Sequence, residues 1–395
     1  MTRVTAPSMQ LQAAFWRSHI LDVLAAFVII LTFAAPVVSG FRPSHAGLIL
    51  FSGMALISLW DRPLGRAPMI ALFLYLSVIV TSTASAFLNG PGNHLGEEQV
   101  RNFLMFGGTF MAGYSMSADR LRKVLNITPY LCAATIFAIF IFFPNPFSYG
   151  ARLSYGEYLF APGLSYVITL CLAVALAAER KRWHDHLLII FLLLSEALTF
   201  TRAEIISIVI LIWIRIGFRN GLILAAGTII PIAIFVAPSP DIQRLFVIRD
   251  ALETGGSGRL QVWSYMVNTL LNTPGALLLG FGPGSVHYIA NATQTVDKAH
   301  NIPLDTLYAY GVYGFTIMVA TLAILCRKID WRGRSNHHLL VRNIFIVAFV
   351  NGLVNGSFFD GALNGLSAIF FGYVVATIRE TPSTAVRSAQ KPINA

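Results

Sequence analysis

Charge is what this 395-residue chain has least of: 12% of its residues are Asp, Glu, Lys or Arg, against about a quarter in an ordinary soluble domain. A water-soluble fold of usual composition is excluded. Cysteine is scarcer still. Cys132, Cys171 and Cys326 all fall in or at the edge of apolar blocks, and an odd number so placed argues against a disulfide framework or a zinc site. No internal repeat of useful length is present, which weakens transporter folds built from inverted repeats. What the chain does have is apolar sequence, at 56% hydrophobic residues and a mean hydropathy of +0.67. The apolar residues come in blocks close to the roughly 20 residues that span a bilayer. The expected class is therefore an all-α integral membrane protein.

Reading apolar runs against charged or Pro/Gly-rich breaks gives about twelve spans, at 20–38, 46–60, 68–88, 102–117, 123–143, 159–178, 186–200, 203–217, 221–237, 303–326, 340–356 and 362–378. The block at 20–38 is too long for a signal-peptide core and leads into further spans, so it reads as a retained first helix. The pair around Thr201-Arg202 is either one run broken by a charge or two helices joined by a tight turn. The layout that follows is a cytoplasmic N-terminus (1–19), nine spans (20–237), a long outer loop (238–302), three more spans (303–378) and a cytoplasmic tail (379–395).

The loops fix the orientation. Net charge is +10, and in a membrane protein basic residues collect in cytoplasmic loops, so nucleic-acid binding is not the reading. With twelve spans and the N-terminus inside, 20 of the 28 Lys and Arg residues fall inside and 8 outside. Fusing the seventh and eighth spans would put Arg215 and Arg219 outside and invert every later loop. Both termini are therefore expected in the cytoplasm, and the long loop outside.

That outer loop reads as structured. Residues 241–253 have a helical pattern with apolar Ile242, Leu245, Phe246 and Ile248. A Gly255-Gly256-Ser257-Gly258 break follows, and Arg259 opens a second amphipathic segment through Leu271. Long loops with internal structure usually carry function. Asn291-Ala292-Thr293 matches a glycosylation sequon, to which no role is assigned.

Ionisable groups near membrane depth cost about 2.5 to 3.5 kcal/mol on insertion scales and need partners or a wet cavity. Arg202, Glu196 and Glu204 lie within two neighbouring spans, toward the outer side. They form either a local Arg–carboxylate pair or a clamp for a diphosphate, whose oxygens match the forked guanidinium donors. Arg259 is either a solvated loop residue or, at a helix start after mobile glycines, a second anion ligand. His300, just ahead of the helix that carries Asp305, is either a surface histidine or a general base, since an imidazole titrates near neutrality. Asp297 or Asp305 could serve instead. A metal held by His287, Asp297 and His300 matches no ligand spacing, so no metal is expected. The Gly280-Phe281-Gly282-Pro283-Gly284 run lacks the Lys-Ser/Thr of a phosphate loop and reads as a turn.

Taken in order, Gly258-Arg259 before Trp263, then Leu279-Gly280-Phe281-Gly282, Ala299-His300-Asn301, Leu304, Leu307 and Gly311-Val312-Tyr313-Gly314 resemble the O-antigen ligase and polymerase superfamily of membrane glycosyltransferases. Thr201-Arg202-Ala203 stands where that family usually has Ser-Arg followed by small residues. Ala151-Arg152-Leu153 is a third correspondence, although this chain then has Pro162-Gly163 where the family often has Pro-Asn. The resemblance covers about residues 150 to 320.

It implies a bacterial inner-membrane enzyme that moves a glycan from undecaprenyl diphosphate to an acceptor hydroxyl on the periplasmic face, with inversion and with neither nucleotide sugar, cofactor nor metal. Arg202 and Arg259 would hold the diphosphate, with Arg152 and Asn301 as further substrate ligands and His300 as the base. The acceptor would be lipid A core in a ligase, or a second lipid-linked repeat in a polymerase. Two readings from other classes are a transporter or flippase of lipid-linked sugars, with its essential charges near mid-membrane, and a scaffold in which His300 is dispensable.

The charge asymmetry makes a direct prediction. Reporters fused after Ala395 or within 327–338 should report cytoplasm, and a tag near Thr293 should be reachable from outside. A cytoplasmic tag at Thr293 would overturn the placement of the site.

Overall fold

The computed structural model describes residues 66–89, 116–142, 161–178, 182–199, 201–216, 259–282, 288–291, 294–296, 299–333, 335–354 and 361–380, part of 20–30, and a few single positions. The spans expected at 46–60, 102–117 and 221–237 lie largely or wholly outside these residues, as does the helix expected at 241–253. The described elements are α1 (Arg66–Asn89), α2 (Ala118–Leu125), α3 (Thr128–Phe142), α4 (Ala161–Ala177), α5 (Trp183–Thr199), α6 (Arg202–Ile216), α7 (Arg259–Leu271), α8 (Pro274–Leu279), β1 (Tyr288–Asn291), β2 (Gln294–Val296), α9 (Ile302–Lys328), α10 (Asn336–Val354) and α11 (Gly361–Glu380). Three stretches, Ala118–Phe142, Ile302–Lys328 and Asn336–Val354, are long and apolar enough to cross a membrane. The protein is a helical membrane protein.

Two details differ from the sequence reading. The segment between α8 and α9 carries an antiparallel ribbon, with Tyr288 opposite Val296 and Ile289 opposite Thr295. Its signal was a pair of β-branched and aromatic runs on either side of a turn at Asn291-Ala292. The span expected from residue 123 falls in the membrane-length stretch Ala118–Phe142, which is divided at Asn126–Ile127 so that α3 starts at Thr128. Ahead of it α2 is a separate amphipathic helix whose N-cap, Ser117, accepts the Arg120 N–H at 3.4 Å and whose Leu121, Val124 and Leu125 are buried. The stretch around Thr201-Arg202 proves to be two helices, because α5 stops at Thr199 and α6 starts at Arg202.

Side-chain bonds give the helix directions. Ser165 on α4 donates to Glu196 on α5, and Asn351 on α10 donates to Glu204 on α6. At the other end of that last pair the charges of Arg215 and Arg342 act on each other. Helices α4 and α5, and α6 and α10, therefore run antiparallel, and the start of α6, the start of α9 and the end of α10 share one end of the bundle. The opposite end collects Arg120, Arg122, Arg327, Lys328 and Arg379.

Helix α4 forms the middle of the bundle, with Tyr166, Val167, Ile168, Leu170, Cys171, Leu172 and Ala173 all buried. Between lipid-immersed helices no hydrophobic driving force remains, so close packing and interhelical hydrogen bonds hold them together. Asn343 Nδ2 donates to Ala173 O at 3.2 Å and Ser367 Oγ to the Tyr166 hydroxyl at 3.3 Å.

A second, smaller core belongs to α7, α8 and the segment leading into α9: Val262, Met266, Leu270, Ala276, Phe281, Ala299 and Tyr308, with Trp263, Leu304 and Leu307 packed against it. It joins α7 and α8 to the first turns of α9. Helix α9 is broken at Gly311, where φ is 63° and ψ −170°. The break frees carbonyls that a continuous helix would use, and the glycine turn after α8 takes them. Phe281 N–H donates to Tyr308 O at 2.9 Å and Gly282 N–H to Ala309 O at 3.0 Å, while Ser85 Oγ on α1 donates to Gly280 O. The glycine-rich run is thus a turn stitched to a broken helix. Irregular backbone at this depth is tolerated only when its polar groups are satisfied in this way.

Both glycines are required by space as well as by φ. A Cβ on Gly311 would lie 2.3 Å from Leu278 O, and one on Gly280 would lie 2.2 Å from Ala309 O. Gly311→Ala should therefore cost on the order of 3 kcal/mol and lower the melting temperature in detergent. Gly275→Ala, where a Cβ meets nothing within 4 Å, should be neutral or slightly stabilising. Equal melting temperatures for the two variants would exclude the break at Gly311.

Candidate functional site

Two of the expected site residues, Arg259 and Asn301, meet at the last turn of α10. Arg259, the first residue of α7, donates from Nη1 to Val354 O at 2.7 Å. Asn301, the N-cap of α9, donates from Nδ2 to Leu353 O at 3.0 Å. Glu204, in the first turn of α6, accepts from Asn351 Nδ2. Three helix N-termini, those of α6, α7 and α9, are thus tied to three residues, Asn351, Leu353 and Val354, in the last turn of one helix. Each N-terminus presents main-chain N–H groups with no partner inside its own helix, and a partial positive charge. Together they form an environment suited to an anion.

Arg202 is the residue from which α6 starts; its side chain is not among those described. Two residues on, Glu204 is fully buried. Unpaired, such a carboxylate would be costly in this environment, and the Asn351 amide supplies it with a donor. Glu196, on α5, is also buried and accepts from Ser165 and from Thr199 Oγ1.

His300 is presented by a strap. Its φ is 54°, a left-handed conformation in which histidine is enriched among non-glycine residues. The flanking peptides hold it there. Asp305 accepts the Ala299 N–H on Oδ1 at 2.8 Å and the Asn301 N–H on Oδ2 at 3.3 Å, and Trp263 Nε1–H donates to Ala299 O at 2.8 Å. Ala299 is buried while His300 is exposed. Trp263, one of the motif residues, and Asp305, an alternative base in the sequence, therefore act on the main chain around His300. Both carboxylate oxygens of Asp305 are engaged by N–H donors of the main chain that flanks His300.

Asn301 uses both ends of its amide, since Oδ1 accepts the Leu304 N–H at 3.0 Å while Nδ2 reaches Leu353 O. In this fold it anchors the start of α9 to the end of α10. Arg152, His287 and Asp297 lie outside the described residues. Leu153, next to Arg152, is buried and donates its N–H to Leu198 O in the last turn of α5 at 2.9 Å, at the end of the bundle that holds the site.

The part of the site that sequence reading missed is the end of α10. Its signal was a polar Asn351 inside an apolar run, Phe349-Val350-Asn351-Gly352-Leu353, since an amide within a span needs a partner there. No motif pairs it with Glu204, 147 residues away.

No curated protein matches the chain. Residues 186–319 match the family model described as O-antigen ligase. That segment runs from α5 into α9 and contains Arg202, Glu204, Arg259, Trp263, His300 and Asn301, and the match supports the O-antigen ligase superfamily for this chain.

Proposed function

We propose that the protein is an O-antigen ligase-like glycosyltransferase that moves a glycan from undecaprenyl diphosphate to an acceptor hydroxyl. The observation that carries this reading is the meeting of three helix N-termini, one opened by Arg202 and one by Arg259, beside a histidine held in a fixed main-chain geometry. The donor binds by its diphosphate. Arg202 and Arg259 supply forked, permanently charged donors, and the helix N-termini add fixed dipoles that need no reorganisation as the reaction proceeds.

In the proposed reaction the acceptor hydroxyl gives its proton to the His300 imidazole, and its oxygen attacks the anomeric carbon from the face opposite the diphosphate. The bond from that carbon to the diphosphate oxygen breaks, and undecaprenyl diphosphate leaves with the electron pair. One displacement inverts the anomeric centre. Charge grows on the leaving group where the arginines sit, and that is where electrostatic stabilisation lowers the barrier. No step needs a metal.

The site end of the bundle then faces the periplasm, and the arginine-rich end faces the cytoplasm of a bacterial inner membrane, with about twelve spans and both termini inside. The partners are a lipid-linked donor, an acceptor such as lipid A core, and the surrounding lipids. A polymerase of the same superfamily would use the same donor chemistry with a second lipid-linked repeat as acceptor. A transporter fits less well, because the charged constellation gathers at helix ends instead of mid-span.

Purified protein in detergent, given lipid-linked donor and candidate acceptors, tests the reading, because a transferase needs no sealed compartment. His300→Ala should still bind donor but transfer about 10²- to 10⁴-fold more slowly. Arg259→Lys keeps the charge but not the planar fork, so both donor affinity and turnover should fall. Wild-type rates in His300→Ala would remove histidine from the mechanism. Absence of any new glycosidic bond with every acceptor would remove the transferase itself.

The source of positive charge is tested separately. If arginines and helix N-termini carry the diphosphate, transfer should persist in EDTA. Activity lost in chelator and restored by magnesium or manganese would mean that the diphosphate has been given the wrong partners.

A further inference from the structure

We infer that Asn351 is a positioning residue: through Glu204 it sets the spacing between the half of the site that starts α6 and the half that holds Arg259 and His300. This rests on the diphosphate-transfer reading above and adds a residue that lies outside the matched segment 186–319. The two halves come from different parts of the molecule. Arg202 belongs to the bundle, by way of α6, whereas Arg259 and the His300 strap belong to the outer loop and its separate core.

Helix α10 is common to both. Asn351 donates to Glu204 on the bundle side. Two and three residues later, Leu353 O and Val354 O receive Asn301 Nδ2 and Arg259 Nη1 from the loop side. Asn351 and Glu204 are both fully buried, where a hydrogen bond to a carboxylate is stronger than at a wet surface.

The leverage is geometric. An α-helix advances about 1.5 Å and turns about 100° per residue, so a slip of α10 along α6 by even one residue would carry Arg259 and Asn301 away from Arg202 by that step. Misplacement by about 1 Å is enough to cost on the order of 10²-fold in rate when two groups must act on one substrate.

The test exchanges donor and acceptor. Asn351→Asp sets a carboxylate against the Glu204 carboxylate. Glu204→Gln with Asn351→Asp restores an amide–carboxylate bond of the opposite direction and keeps the charge of the pair. For full-length protein in detergent, two readouts are taken: the dissociation constant for undecaprenyl diphosphate, and kcat and KM for transfer. Asn351→Asp should weaken diphosphate binding at least about tenfold and lower kcat on the order of 10²-fold, and the exchanged pair should recover most of both.

Should Asn351→Asp fail to fold, Asn351→Ala combined with Arg259→Lys serves in its place. If Asn351 acts through the Arg259 anchor, the two losses in kcat/KM combine to less than their product, whereas losses that multiply would show a merely structural residue. Active wild type with an exchanged pair no better than Asn351→Asp, or a folded Asn351→Asp at wild-type affinity and rate, overturns the positioning role and leaves the transferase standing. Wild type that neither binds the diphosphate nor transfers overturns both.

Discussion

Inside a bilayer no water is available to hydrogen-bond a main-chain N–H or C=O, so each such group must find its partner within the protein. A helix that stops leaves N–H groups at one end and carbonyls at the other, and a helix that breaks does the same in its middle. In this protein those released groups become the joints of the structure. The break at Gly311 offers Tyr308 O and Ala309 O, which take the turn at Phe281 and Gly282. The end of α10 offers Leu353 O and Val354 O, which take Asn301 and Arg259. The segment around α7 and α8 is therefore sewn to the bundle along two seams, and both seams are made of carbonyls that lost their helical partners. Side-chain packing in the small second core then fixes what the seams have aligned.

The same constraint explains how much of the molecule could be read from its sequence. Helices such as α5 and α6 announce themselves because an apolar run in lipid has little choice but to be helical. Even their separation at Thr201-Arg202 was open to argument, since fusing them would have inverted the basic residues of every later loop. The residues of the site were legible for a different reason. Arg259, Trp263 and His300 sit in a loop where apolar packing does not dictate residue type, so an arginine after glycines or a His-Asn pair before a helix stands out.

What stayed hidden is whatever depends on two distant segments meeting. Glu204 could be seen as an intramembrane carboxylate and Asn351 as an odd amide, but nothing local says that they pair. Asp305 read as an alternative base because it is acidic and near His300. Only the folded loop shows its two oxygens taken by the Ala299 and Asn301 N–H groups. The ribbon at Tyr288–Asn291 was passed over because two strands so short carry a faint alternation signal beside twenty-residue apolar runs.

The electrostatics of the convergence point follow from the same geometry. Each helix N-terminus carries roughly half a positive charge and each C-terminus roughly half a negative one. Three N-termini meet here with the C-termini of α5 and α10, so the backbone alone supplies a net positive environment of about half a unit, beside the buried Glu204 carboxylate. Arg259 stands between the opposing parts. Its guanidinium touches Val354 O, the negative end of α10, and that bond orients the fork. In the proposed reaction the anion's charge rises as the glycan departs, so a field fixed by helix ends favours the products of bond cleavage more than the bound donor. A flexible lysine or a hydrated cation would have to rearrange to achieve the same bias. An arginine held on a helix end has been arranged by the fold before the substrate arrives.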